Sequence, residues 1–200
     1  MKIEFPETDY KGLIFDLDGT LVDSMPAHFD AWCKALSEHG APEIFPEDVF
    51  YAMGGRPTKD IVNVLNGEMN LKLDPDAVSS SKRSAFLESM GKIELIMPVI
   101  EFVKENYGKV PMAIATGGSR HVAQKTIELL EIDQYFQTMV TADDVECGKP
   151  DPEVFLKAAK AINIAPEDCI AFEDAAPGIL AAQTAGMRVV TIPAPLKVHK

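Results

Sequence analysis

From Met97 onward the chain alternates helix-length stretches with short apolar runs, and this rhythm restricts the possible folds more than any other feature. Helical patterns at 98–107, 119–130, 152–162 and 176–185 separate apolar runs at 110–116, 138–141, 169–172 and 188–192. Strands separated by helices of roughly 10–15 residues imply right-handed crossovers and a parallel sheet. The run Gly12-Leu-Ile-Phe15 is expected to join that sheet as its first strand. Between it and the alternating part, residues 23–92 carry a helical pattern and no good strand. One stretch, 26–39, has Phe29, Trp32, Cys33 and Leu36 at helical spacing and stops at Gly40. A second follows Gly54-Gly55-Arg56-Pro57 and places Ile61, Val62 and Leu65 on one face before Gly67. A third begins at Asp74-Pro75-Asp76, an N-cap followed by proline, and runs to about Met90. The expected architecture is α/β: a parallel-sheet core from residues 1–22 and 93–200, with a small all-helical cap domain inserted at 23–92.

Composition narrows the class of protein. The chain has 200 residues, 46% hydrophobic and 25% charged, with mean hydropathy near zero, which fits a soluble globular enzyme. No apolar run approaches the roughly 20 residues of a membrane span, and the acidic start does not resemble a secretory signal. No membrane association and a cytoplasmic location are expected. Cys33, Cys147 and Cys169 are odd in number and widely spaced, which suggests neither a disulfide framework nor a zinc site. A net charge of −12 argues against nucleic acid, whose binding needs a concentrated basic footprint. An anionic substrate would have to be captured by a metal and a few local cations against the overall field. A monomer or weak homodimer is expected.

The chemistry concentrates where the first strand ends. Alternation points Asp16 and Asp18 to the same side of the chain, into the crevice beyond the carboxyl end of the strand where open α/β sheets bind ligands. Gly19 lets the chain turn there. Two neighbouring carboxylates with no basic residue among them raise each other's pKa unless a cation sits nearby or one stays protonated. A hard cation such as Mg²⁺ takes carboxylate and carbonyl oxygens and leaves room for a phosphate oxygen. One carboxylate would then attack while the other handles a proton.

Three further loops fall at the carboxyl ends of strands. Thr116-Gly117-Gly118-Ser119 offers backbone N–H groups and a hydroxyl at a helix N-terminus, a phosphate cradle. Gly148-Lys149-Pro150 holds a lysine between rigid flanks, suited to neutralising a phosphate oxygen and a carboxylate together. Phe172-Glu173-Asp174 ends another apolar strand in two carboxylates. Each also has an ordinary reading: an Asp-Gly turn, a Gly-rich turn, a solvated lysine, or N-capping of the next helix by Asp174. Their coincidence at one edge of one sheet is what favours a site.

In order, Asp-x-Asp-x-Thr, Thr, Lys and Glu-Asp resemble the four motifs of the haloacid dehalogenase superfamily, and the resemblance covers nearly the whole chain, helical insertion included. It implies a Rossmann-like core. Dehalogenases lack the second Asp of the first motif, so its presence points to the phosphotransfer branch. The resemblance implies Asp16 as nucleophile, forming an aspartyl-phosphate, and Asp18 as the acid that protonates the leaving oxygen and then activates water. It implies Thr116, Gly117 and Lys149 as the hold on the phosphoryl group. Mg²⁺ would be held by Asp16, Asp174 and the backbone carbonyl of Leu17 or Asp18, with the resemblance favouring Asp18. Glu173 would orient Lys149 or a metal-bound water.

Within the superfamily, the segment Asp23-Ser-Met-Pro-Ala-His28-Phe-Asp-Ala-Trp32 resembles the hinge and first cap helix of beta-phosphoglucomutase and its sugar-phosphatase relatives. The resemblance implies His28 as a substrate-side residue near Asp18, with helix packing an equally ordinary reading, while Trp32 reads more readily as core. Arg56 matches a cap loop that grips the distal part of the substrate, and Lys82 matches a cap lysine, although Lys82-Arg83 also reads as a solvated pair. Ala115-Thr-Gly-Gly-Ser119 departs from the serine-containing loop of the mutase and is closer to sugar phosphatases of the fructose-1-phosphate type. The preferred expectation is therefore an Mg²⁺-dependent phosphatase acting on a small phosphorylated metabolite, a sugar phosphate. Beta-phosphoglucomutase is the runner-up. A pyrophosphatase or nucleotide phosphatase, and a non-catalytic binding protein on the same fold, are the further alternatives.

Overall fold

The computed structural model describes residues 3–6 and 9–193. The C-terminal run Pro193-Ala-Pro-Leu-Lys-Val-His-Lys200, whose composition reads as a frayed tail, lies outside the described residues except for Pro193.

Five strands form one sheet: β1 (Gly12–Phe15), β4 (Met112–Ala115), β5 (Thr138–Val140), β6 (Cys169–Glu173) and β7 (Arg188–Thr191). Their order is β5-β4-β1-β6-β7 and every pairing is parallel. The crossovers are α5 (Met97–Asn106), α6 (Arg120–Leu129), α7 (Glu153–Ala161) and α8 (Ala176–Thr184). β1 is wholly buried because both sheet faces are covered, which is why its sequence is a continuous apolar run. Successive residues still divide between the two faces. Leu13 and Phe15 join one hydrophobic cluster with Met112, Ile114, Ile170 and Phe172, whereas Ile14 joins another with Ala113, Ala115, Cys169 and Ala171. Phe15 and Phe172 stack across β1 and β6 with ring centroids 4.4 Å apart. The expected strand at 110–116 begins only at Met112, since Pro111 has no N–H for the ladder, although its carbonyl still accepts from Leu13 N at 3.1 Å.

The segment between β1 and α5 contains one feature its helical pattern does not reveal. β2 (Val22–Asp23) and β3 (Glu94–Leu95) pair antiparallel at its two borders. Two residues per strand are too few to show a period. Between them lie α1 (Met25–Glu38), α2 (Glu47–Ala52), α3 (Thr58–Met69) and α4 (Pro75–Ser89). These helices bury a cluster of their own that includes Trp32, Leu36, Phe50, Ile61, Leu65 and Val78. Asp74 caps α4 as its sequence implies, its carboxylate accepting from Asp76 N at 2.9 Å. α3 runs past Gly67, where no atom lies within 4 Å of a would-be Cβ, and stops at Asn70 in the left-handed conformation, φ 51°. Among the described residues no helix is long and apolar enough to cross a membrane.

Candidate active site

The four loops meet at the carboxyl ends of β1, β4 and β6. Asp16 directly follows β1 and is fixed by its backbone N–H, which donates to Phe172 O at 2.9 Å. Lys149 reaches in from the loop before α7. Its ammonium donates to Asp16 Oδ1 and Glu173 Oε1, both at 2.6 Å, and to Ala115 O at 3.0 Å. It is therefore not a solvated loop lysine. Burial alone would drive this ammonium to lose its proton, but Asp16 and Glu173 reverse that and hold its pKa above the ordinary lysine range. The other Glu173 oxygen accepts from Ala175 N at 3.0 Å. Asp174 does not cap α8, which has no side-chain cap. Instead its carboxylate faces Gly19 and accepts from Thr20 Oγ1 at 3.5 Å. Gly19 has φ 94°, and a Cβ there would lie 2.2 Å from Asp174 Oδ2, so both backbone shape and space demand glycine.

Asp16, Glu173 and Asp174 each place a carboxylate oxygen within 4.8 Å of the others'. Burial is the main reason the Asp16 pKa is raised; neighbouring carboxylates add to it and Lys149 opposes it. Asp174 is likewise raised, to about 7, by burial and by Glu173. Three carboxylates share one lysine, so this cluster has the donor chemistry and the charge deficit that suit a hard divalent cation.

Asp18 faces a different set of groups. Its Oδ1 accepts from Ser24 Oγ at 2.5 Å and lies 3.0 Å from His28 Nε2. On the other side of the ring, His28 Nδ1 lies 2.9 Å from Lys82 Nζ. An ammonium only donates, so Nδ1 accepts and Nε2–H donates to Asp18. The ring stacks on Phe86 with centroids 3.9 Å apart. Although burial pushes the Asp18 pKa up, His28, Ser24 and Lys82 outweigh it and hold it at about 2. Burial lowers His28, as does the adjacent Lys82, despite Asp18. Burial also holds Lys82 down to about 8. The expected mutual repulsion of Asp16 and Asp18 is thus relieved separately: Lys149 serves one, and α1 and α4 supply cationic and hydrogen-bonding partners to the other. Lys82 faces inward and Arg83 is exposed, so the two do not form a solvated pair.

Thr116 is buried and its Oγ1 accepts from Gly118 N at 3.0 Å. The α2–α3 loop lies across this edge of the sheet: a Cβ on Gly117 would meet Gly55 O at 2.0 Å, and one on Gly148 would meet the Pro57 ring at 2.3 Å. The half-buried Arg56 borders one small cavity of about 70 Å³ together with Asp16, Asp18 and Thr116, and its Nε is buried without a partner. Trp32 is 2% exposed with its ring edge-on to Phe45, in keeping with a core role, while also reaching the wall of this cavity.

Thr20 enters the sequence reading only as the last residue of the Asp-x-Asp-x-Thr motif, and Ser24 is assigned no role in it. Ser24 occupies the N-cap position of α1 but makes no cap bond, its hydroxyl donating to Asp18 instead. The short spacing from Asp18 to Ser24 was the available signal.

Asp16, Asp18, Thr116, Lys149, Glu173 and Asp174 thus gather at the carboxyl edge of a parallel sheet, a candidate active site on an α/β fold. The chain belongs to the haloacid dehalogenase-like hydrolases, whose family model matches residues 13–192. It is 36% identical over 187 residues to fructose-1-phosphate phosphatase YqaB of Escherichia coli, covering 92% of this chain and 96% of that protein. It is 30% identical over 181 residues to a phosphorylated carbohydrates phosphatase of Thermotoga maritima, covering 88% and 82% of the two chains. The crystal structure of beta-phosphoglucomutase from Clostridium difficile superposes with a TM-score of 0.79 at 24% identity, over 91% of this chain and 84% of that one, a likeness of fold. The expectation of a phosphoric monoester hydrolase agrees with the names these relatives carry.

Proposed function

We propose that this enzyme hydrolyses the phosphate ester of a small sugar phosphate, with a fructose 1-phosphate-like molecule as the leading candidate, through an aspartyl-phosphate on Asp16. The observation that carries this reading is the buried Lys149 ammonium bridging Asp16 and Glu173 at 2.6 Å from each, beside a second, separately supported carboxylate on Asp18. The kinship to YqaB over nearly the full length of both chains supports the substrate class. Residues 23–92 act as a cap domain on the core formed by 1–22 and 93–200, and the three free cysteines suit a cytoplasmic enzyme.

An Asp16 carboxylate oxygen attacks phosphorus, and the bond from phosphorus to the sugar oxygen breaks. Asp18 gives its proton to that departing oxygen. It then takes a proton from the water that attacks the aspartyl-phosphate, which releases inorganic phosphate and restores Asp16. Asp18 is ionised in the free enzyme, and the negative charge of an arriving phosphate raises its pKa towards the protonated form the first step requires. Lys149, Thr116 and the Gly117 backbone hold the phosphoryl oxygens, and Lys82 acts on Asp18 through His28. Arg56 contacts the substrate from the cap side. Asp16, Asp174 and the Asp18 carbonyl would hold Mg²⁺; Glu173, with both oxygens already hydrogen-bonded, serves chiefly to position Lys149. Mg²⁺ supplies neutralisation of charge on the phosphoryl oxygens, the main demand of phosphoryl transfer.

The test is phosphate release from fructose 1-phosphate, glucose 6-phosphate, beta-glucose 1-phosphate and pyrophosphate, with and without Mg²⁺, beside an assay for glucose 6-phosphate formed from beta-glucose 1-phosphate. Metal-dependent release from a sugar phosphate is the expected result. Isomerisation without release would establish a mutase instead, and inactivity throughout would contradict the sugar-phosphate reading and leave an untested substrate or a binding role.

A further inference from the structure

Beyond the small cavity at Asp16, a larger one of about 300 Å³ opens between α4, the start of α3 and the core loops at 117–119 and 142–148. The two share His28, Thr58, Lys82, Gly117 and Gly118 in their walls, so they adjoin, and on the phosphatase reading a molecule with its phosphate at Asp16 would reach the larger space. Ser79 lines that space from α4. It is only 8% exposed, and its hydroxyl has no hydrogen-bond partner. A helical serine commonly returns its hydroxyl to the carbonyl four residues earlier. Ser84, on the same helix, does so with Ser80 O at 3.1 Å, whereas Ser79 does not. An unpartnered buried hydroxyl is unfavourable, and a ligand hydroxyl in the cavity would remove that cost.

The charges around the cavity indicate which end of a substrate belongs there. Lys59, Lys82 and Arg83 are matched in its walls by Asp60, Asp143 and Glu146. Lys59 is already ion-paired with Asp76, and Lys82 is engaged by His28. A balanced wall in a chain of net charge −12 suits hydroxyl groups and gives no excess cation for another phosphate.

Resting on the phosphatase reading above, we infer that Ser79 is a specificity-determining residue that hydrogen-bonds a hydroxyl of the substrate's sugar or polyol portion, and that this cavity takes the neutral end of a phosphomonoester. Ser79 stands apart from the reacting atoms, so its effect falls on substrates that fill the cavity.

Steady-state kinetics of the full chain and of Ser79→Ala on fructose 1-phosphate, a panel of other hexose and hexitol monophosphates, and phenyl phosphate tests this. On its best sugar phosphate the variant is expected to lose roughly three- to tenfold in kcat/KM, chiefly through KM, the loss of one neutral hydrogen bond. On phenyl phosphate, which has no sugar hydroxyl, it should match the parent, and its ligand-free melting temperature should be unchanged or higher. Equal losses on both kinds of substrate, or a lower melting temperature, would make Ser79 a structural residue and overturn the inference. Faster turnover of fructose 1,6-bisphosphate than of fructose 1-phosphate would overturn the neutral-end assignment. Parent activity on phenyl phosphate but on no sugar phosphate would defeat this inference and leave a phosphatase. Activity on neither would defeat the phosphatase reading itself.

Discussion

Lys149 Nζ lies 2.6 Å from Asp16 Oδ1, and the two side chains are 1% and 4% exposed. A charge pair this deeply buried has little value as a source of net stability, but breaking it from one side leaves the other charge without compensation. Lys149→Met is therefore expected to lose about 3 kcal/mol of folding stability as well as activity. Urea denaturation at neutral pH measures it; a variant within about 1 kcal/mol of the parent would mean that Asp16 and Glu173 find other partners.

Gly117 and Gly55 bring the core and the α2–α3 loop into close backbone approach. Since a Cβ at 117 would fall 2.0 Å from the Gly55 carbonyl oxygen, Gly117→Ala should displace that loop together with Arg56. With Arg56 on the substrate side, as proposed, misplacing it by about an ångström costs roughly ten- to hundredfold in rate. The expected outcome is such a loss in kcat/KM with little change in melting temperature. Unchanged kinetics would mean that the seated loop has no part in turnover.

Gly67 gives the opposite expectation. It lies inside α3 with nothing within 4 Å of a would-be Cβ, so Gly67→Ala should stabilise the protein by roughly 0.5–1 kcal/mol and leave activity unchanged. Chemical denaturation beside a phosphatase assay checks both parts.

The Lys82 ammonium makes a prediction about pH. Burial lowers its pKa from 10.5 to about 8 in the folded chain. Between those values the unfolded chain binds the extra proton, so the contribution of this residue to stability rises as pH increases through the window. Over the same window the site loses a positive charge supporting Asp18 through His28. The expected result is a fall in kcat/KM above about pH 8 that disappears in Lys82→Gln, itself less active at pH 7. A fall of the same size in that variant would assign the titration to another group.

How much of this arrangement the sequence reveals depends on the length of chain that carries each signal. Asp16 and Asp18 are legible because apolar strand, carboxylates and glycine are contiguous, and a pattern of period two fixes which side they face. The sheet is legible because β1 and β4, and β6 as far as Phe172, are buried and read as unbroken apolar runs. The β2–β3 pair is not, being too short for a period. Hydrogen-bond partners are the other blind spot: His28 meets Lys82 across 54 residues of separation, and Lys149 meets Asp16 across 133. A lysine beside two prolines shows its rigidity, but not the carboxylates it will find. Ser79 gives no sign at all, because an unpaired hydroxyl is a property of the packed structure.

The central claim is that Asp16 carries the phosphoryl group. A single turnover on fructose 1-phosphate bearing labelled phosphate, quenched in acid and followed by peptide mapping, tests it most directly. The account predicts a hydroxylamine-sensitive label on the peptide containing Asp16, and neither label nor turnover with Asp16→Asn. Parent-like turnover by Asp16→Asn, or a label on a different residue, would contradict it.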